Sequence, residues 1–256
     1  MLLQNLFPFL RWFPMTGDGV RRDLVAGITV ALVLVPQSMA YAQLAGLPPY
    51  IGLYASFIPV MIAAFWGSSR QLATGPVAVV SLMTAAALGP MVMGMDLMPE
   101  QRVAVYLSLA ALLAIMVGVF QVLLGVLRLG VLVDFLSHPV VVGFTNGAAI
   151  IIATSQLSKL FGVTVEKSEH HYETVWRVVV AATTETHVLT LIMGVAALAI
   201  MILMKKYLPR IPTVLTAVVI TTLASWLFGF QAAGGKVVGE IPEGLPGISF
   251  PEFDLQ

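Results

Sequence analysis

Apolar positions along this chain gather into long unbroken runs instead of the alternating pattern of half-buried strands. Seven runs predict helices. They lie at about Leu24 to Leu44, Ile51 to Trp66, Leu72 to Leu88, Val103 to Leu127, Val140 to Leu160, Val188 to Met204 and Thr213 to Phe230. A helix needs about 20 mostly apolar residues to cross a bilayer, so runs of this kind read as membrane spans. The third is short and broken.

Two interruptions stand out because irregular backbone at membrane depth is tolerated only where it lines a cavity or is buried in protein. The first opens the segment Pro36 to Tyr54, PQSMAYAQLAGLPPYIGLY, where a helix breaker and an amide, Gln37, fall inside an apolar run. Gln37 and Tyr41 are four apart and share a helix face, with Ser38 offset from it. Gln37 can donate to an anion, and an interhelical hydrogen bond is the competing role. The second lies in GSSRQLATGPVAVVSLMTAAAL, residues 67–88, where Gly75-Pro76 precedes a second apolar stretch. Proline fixes φ and suits a first helical position, with Thr74 or Gly75 as the cap. This predicts a helix of roughly twelve residues from Val77 to Leu88, about 18 Å long, preceded by a short extended stretch. A helix starting in mid-membrane presents unpaired N–H groups and a partial positive charge. The N–H groups of Val77 and Ala78 would then face an anion with no buried lysine required. A Pro-kinked spanning helix is the alternative.

Basic residues set the orientation. With the N-terminus inside, Arg11, Arg21, Arg22, Arg70, Arg128, Lys205, Lys206 and Arg210 lie on inner segments, against five Lys and Arg outside. That bias favours a cytoplasmic N-terminus in the plasma (inner) membrane. An odd number of spans leaves the following chain outside, and a second seven-span unit would run with opposite topology, as in inverted-repeat transporters. The expected organisation is an interfacial N-terminus over 1–22, spans one to four over 23–128, spans five to seven over 129–231, and a Gly/Pro-rich linker over 232–256.

Composition narrows the function. The chain has 256 residues, 59% hydrophobic and 10% charged, with zero formal net charge and no cysteine. Soluble domains carry about 25% charge. Neutrality gives no field for nucleic acid, and the lack of cysteine removes thiolate chemistry. No nucleotide-binding or catalytic-triad motif occurs, so neither an enzyme nor a cofactor is expected. His170-His171 with Glu166, Glu169 and Glu173 lack helical ligand spacing, and no metal site is expected. His138 reads as a structural histidine before span five. No acidic residue falls well inside a span, so a carboxylate proton relay is not visible.

The segment Pro36–Tyr54, Asp23-Leu-Val-Ala-Gly-Ile, Gly67-Ser-Ser-Arg, Thr74-Gly-Pro-Val-Ala-Val, Leu136-Ser-His-Pro-Val-Val-Val-Gly-Phe-Thr-Asn-Gly-Ala-Ala and Ile241-Pro-Glu-Gly-Leu-Pro together resemble the sulfate permease family of anion transporters. The resemblance implies an all-α polytopic fold of two inverted seven-span repeats, of the uracil-permease type. Spans one to four would form a core domain and spans five to seven a gate. It implies an anion site at the span-three half-helix with Gln37, Tyr41, Val77 and Ala78 as binding positions, supported by Pro36, Ser38, Gly75 and Pro76. It also implies a second repeat, a STAS domain and a homodimer. The substrate would be a small anion such as sulfate, bicarbonate, chloride or a dicarboxylate, with or without a coupled ion. A nucleobase or uncharged-solute permease of the same fold, and a channel-like or non-transporting membrane protein, are the alternatives.

Overall fold

A computed structural model describes residues 7–67, 69, 72–95, 98–166, 168, 170–209, 211–239, 241 and 244. Arg70, Gln71, Lys167, Glu169, Arg210 and most of the expected linker, which figure in the sequence expectations, lie outside the described residues. Within them all extended regular structure is helical. The helices are α1 Gly17–Leu44, α2 Pro49–Trp66, α3 Ala78–Met93, α4 Pro99–Val126, α5 His138–Ser155, α6 Leu157–Phe161, α7 His171–Thr184, α8 Val188–Tyr207 and α9 Thr213–Leu227, with 3-10 segments at Pro8–Trp12 and Leu129–Phe135.

Length and composition make α1, α2, α4, α5 with α6, and α8 long and apolar enough to cross a membrane. The remaining two apolar helices, α3 and α9, have 16 and 15 residues. Together these seven fall at the seven predicted runs. Large apolar side chains stay exposed along them, among them Ile28, Phe57, Phe120 and Ile192, as lipid-facing surface requires.

The boundaries differ from expectation in several places. Helix α1 begins seven residues before Leu24, because Thr16 caps it by accepting the Gly19 N–H at 3.2 Å. It also runs through Pro36 as one continuous helix of 28 residues, so Pro36 does not break it. One lost N–H is outweighed by the helical bonds on either side, in lipid where no water competes for them. Helix α3 continues past Leu88 to Met93 through Pro90, for the same reason. Helix α9 ends at Leu227, and the chain turns through Gly229 at φ 61°. Finally, residues 162–187, between the fifth and sixth apolar runs, contain the fourteen-residue α7.

Helices α1 to α4 pack on their neighbours, as do α5 to α9, and the pairs α3–α5 and α1–α9 join the two groups. The tightest crossing is α1 on α2. A Cβ at Gly52 would stand 2.1 Å from the Ser38 carbonyl oxygen and 3.1 Å from the Ala42 Cβ, so the backbones are in direct contact. Ser38 is fully buried there, its hydroxyl donating to the Val35 carbonyl at 3.0 Å. Lipid tails are as apolar as the helices, so small residues and close backbone approach hold such pairs together. Tyr106 of α4 clips the α1–α2 turn by donating to the Ala45 carbonyl. At the other end of α2, Phe9 and Phe7 pack on Phe65 and Trp66 with ring centroids 5.5 and 5.7 Å apart.

Candidate functional site

The candidate positions lie on two elements, the Gln37–Tyr41 turn of α1 and the start of α3, and Gly75 just before α3 lies beside Leu34 of α1. Gln37 and Tyr41 lie one helical turn apart on α1, and the Gln37 Nε2 donates to the Tyr41 hydroxyl at 2.8 Å. Both are partly buried. A phenol both accepts and donates. Having accepted from the amide, Tyr41 keeps its own O–H proton for a further acceptor, and Gln37 keeps its second N–H. The pair is therefore a polarised donor unit, not two independent side chains.

Residues 72–77 carry no helix, and α3 starts at Ala78. Its N-cap is Val77, in an extended conformation at φ −126° and ψ 133°, and no side chain caps it. Pro76 therefore sits one residue before the cap, not at the first helical position, and neither Thr74 nor Gly75 caps. The reason is local. Pro76 disfavours helical backbone at Gly75, and β-branched Val77 accepts the extended conformation readily. The first-turn N–H groups of Val77, Ala78, Val79 and Val80 have no intrahelical acceptor. They carry the positive end of a helix about 24 Å long. The helix stays short of the roughly 30 Å hydrocarbon core.

The extended segment is held against α1. Around Gly75, the space a Cβ would fill is bounded by Leu34 Cδ1 of α1 at 3.6 Å and Val60 Cγ2 of α2 at 3.7 Å. Leu34 is three residues before Gln37, so the two are neighbours on the surface of α1. The approach to the α3 N-terminus thus runs within a turn of the Gln37–Tyr41 unit. Helix α3 itself packs on α1, α4 and α5. Ser38 faces the α2 crossing instead, and Pro36 lies within the continuous α1.

Among the described residues no side chain with a formal charge belongs to this arrangement: α1 from Leu24 onward, α2 and α3 contain no Asp, Glu, Lys, Arg or His. What it offers a ligand is hydrogen-bond donors and a helix dipole. A small anion with several acceptor oxygens, or a halide, suits such a set. Among the described residues no group of three or more His, Cys, Asp or Glu is placed to hold a metal ion. A cleft of about 140 Å³ lies elsewhere, at the α1–α2 turn beside Tyr106 and Arg102.

Sequence reasoning passed over Gly52 and Tyr106. Gly52 sits inside the segment singled out, and a glycine amid apolar helix positions is a signal of close backbone approach. Tyr106 gave no signal, since its partner lies 61 residues away.

A family model described as the sulfate permease family matches residues 20–256. Among curated proteins, the chloroplastic sulfate transporter 4.1 of Arabidopsis thaliana is 40% identical, over 98% of this chain and 37% of its own length. A probable sulfate transporter of Mycobacterium tuberculosis is 41% identical, over 93% of this chain and 41% of its own length. The chain thus spans about two fifths of the length of these relatives. Among solved structures, SLC26A9 superposes with a TM-score of 0.87 at 28% identity, covering 98% of this chain and 42% of that one. The murine Slc26a9 anion transporter in its inward-facing state gives 0.87 at 26% identity, covering 99% and 45%.

Proposed function

The chain belongs to the sulfate permease family, and from that premise we propose that it forms the first half of the membrane domain of a secondary active anion transporter. The supporting observation is the uncapped N-terminus of α3, whose leading segment lies against α1 within a turn of the Gln37–Tyr41 donor pair. An anion would be held by the N–H groups of Val77 and Ala78, by the Tyr41 hydroxyl and by the free N–H of Gln37. Pro36, Gly75 and Pro76 would shape the backbone around it, and Ser38 would hold α1 against α2. The grouping of α1–α4 apart from α5–α9 supports a core that moves against a gate, exposing the anion to one side and then the other.

The other side of the site would come from a second, inverted repeat, since relatives extend well beyond this chain. A STAS domain and a homodimeric assembly complete the proposed whole, with the N-terminus cytoplasmic in the plasma (inner) membrane. Sulfate is the first substrate to test, because the relatives are named sulfate transporters. Bicarbonate, chloride and dicarboxylates compete for the same donors.

The test uses the full-length protein in proteoliposomes. Tyr41→Phe keeps the ring and removes one donor to a charged ligand, a bond of about 1.5–3 kcal/mol. Sulfate affinity should therefore fall roughly 10- to 100-fold, with Gln37→Ala giving a loss of similar size and unchanged thermal stability. A panel of competing anions on the wild type ranks the substrates. Wild-type affinity in both variants would remove these residues from the site.

A further inference from the structure

Helix α7 divides into three sectors around its axis. At about 100° per residue, Val179, Tyr172, Thr183, Trp176 and Val180 follow one another along one side. Tyr172 and Trp176 are 70% and 68% exposed, and Val179 and Val180 44% and 49%. Next come Glu173, Thr184 and Arg177, all polar. The third sector, around Thr174, Val178 and Ala182, faces the protein: Val178 is 3% exposed, and α7 packs on α5 and α6. A helix in a solvated loop needs two sectors, one buried and one polar. The third, apolar and carrying Trp and Tyr, needs its own environment.

Two further contacts fix where that environment is. The His187 N–H donates to the Phe161 carbonyl at 3.0 Å, so the end of α6 and the start of α8 meet at one level. The chain from 162 to 186 therefore leaves and returns at one membrane face. At the other end of the segment, Thr154 and His171 Nε2 lie 2.7 Å apart. The Thr154 hydroxyl donates to the Ile150 carbonyl, so the imidazole N–H is the donor and ties the first turn of α7 to α5. Helix α7 is about 21 Å long and tethered at its start, too short to cross the hydrocarbon and return within the segment. Ile150 and Ile151 of α5 and Val188 of α8, on the helices that bracket the segment, also expose their apolar side chains.

We propose that α7 is an interfacial helix that lies in the membrane surface, its Tyr172–Trp176–Val180 sector seated in the lipid headgroup layer. Trp and Tyr are the residues that favour that layer, and an apolar sector edged by charge is the pattern of helices that lie in the plane. The occupant of this surface is lipid, and the helix fixes the depth of α5 and α8 in the bilayer. Nothing in this inference depends on what the protein transports.

The test places single nitroxide labels on a cysteine-free background of the full-length protein, reconstituted in phosphatidylcholine vesicles. Trp176→Cys, Val180→Cys and Thr183→Cys should collide more with oxygen than with a water-soluble nickel chelate. Glu173→Cys, Arg177→Cys and Thr184→Cys should show the reverse. Val180→Cys and Thr183→Cys leave Trp176 in place, so the reading survives an intolerant Trp176→Cys. Nickel access at 180 and 183 would mean a water-facing helix. Exclusion of both reagents there would mean a protein cover, from a second copy or the rest of the chain. Either result overturns the proposal.

Discussion

Tyr41 and Gly52 show how much single residues decide here. The Gln37–Tyr41 bond converts two side chains into one donor, and Gly52 sets how near α2 comes to that level of α1. A methyl group at Gly52 would overlap the Ser38 carbonyl, and backbone cannot move aside as a flexible side chain can. Gly52→Ala should therefore destabilise the full-length protein by about 1–3 kcal/mol, the range for overpacked sites. The lowered apparent melting temperature in detergent checks it, and an unchanged midpoint would mean the helices can separate freely. At this scale the sequence was half legible. The i, i+4 spacing of Gln37 and Tyr41 is local and could be read. The burial of Ser38 depends on a glycine fourteen positions away on another helix, which no local pattern reveals.

The elements themselves were written in the apolar runs, and their ends less so. Helix ends are decided by which backbone groups find partners, so Thr16 extends α1 to a start that apolarity alone does not mark. Pro36 and Pro90 look like breaks in one dimension, yet each sits in a continuous helix whose other bonds persist. Helix α7 was missed because its fourteen residues carry Glu173 and Arg177 and so make no long apolar run. The N-terminus of α3 carries the sharpest test at this scale. Val77→Asp would set a carboxylate at the N-cap, where it accepts the first-turn N–H groups and takes the place proposed for the anion. Transport should fall to background while thermal stability rises or holds. Sulfate uptake near wild type in that variant would show that those N–H groups do not serve the ligand.

At the level of the whole molecule, two groups of helices meet, among the described residues, chiefly through the α3–α5 and α1–α9 contacts. Within the second group the loops are latched. His187 accepts the Thr190 N–H through Nδ1 and donates from Nε2 to the Ala233 carbonyl at 2.9 Å, and Lys236 donates to Thr164 at 2.6 Å. The start of α8, the 162–164 turn and the turn after α9 are thereby gathered at one membrane face. By the proposed orientation that face is external. A cysteine at Thr164 or Lys236 should react with a membrane-impermeant maleimide added to intact cells, and one at Lys205 or Lys206 should react only after lysis. The opposite pattern would invert the topology.

The lack of formal charge on α2, on α3 and on α1 beyond Asp23 has an electrical consequence. Dipoles can hold an anion without neutralising it, so the proposed half-site would be more negative loaded than empty. Each uncompensated charge carried across the membrane does work against or with the potential, about 2.3 kcal/mol per 100 mV. A divalent anion doubles that. Unless the partner half or a co-transported cation supplies the missing positive charge, the membrane voltage itself sets which way such a site prefers to face when full.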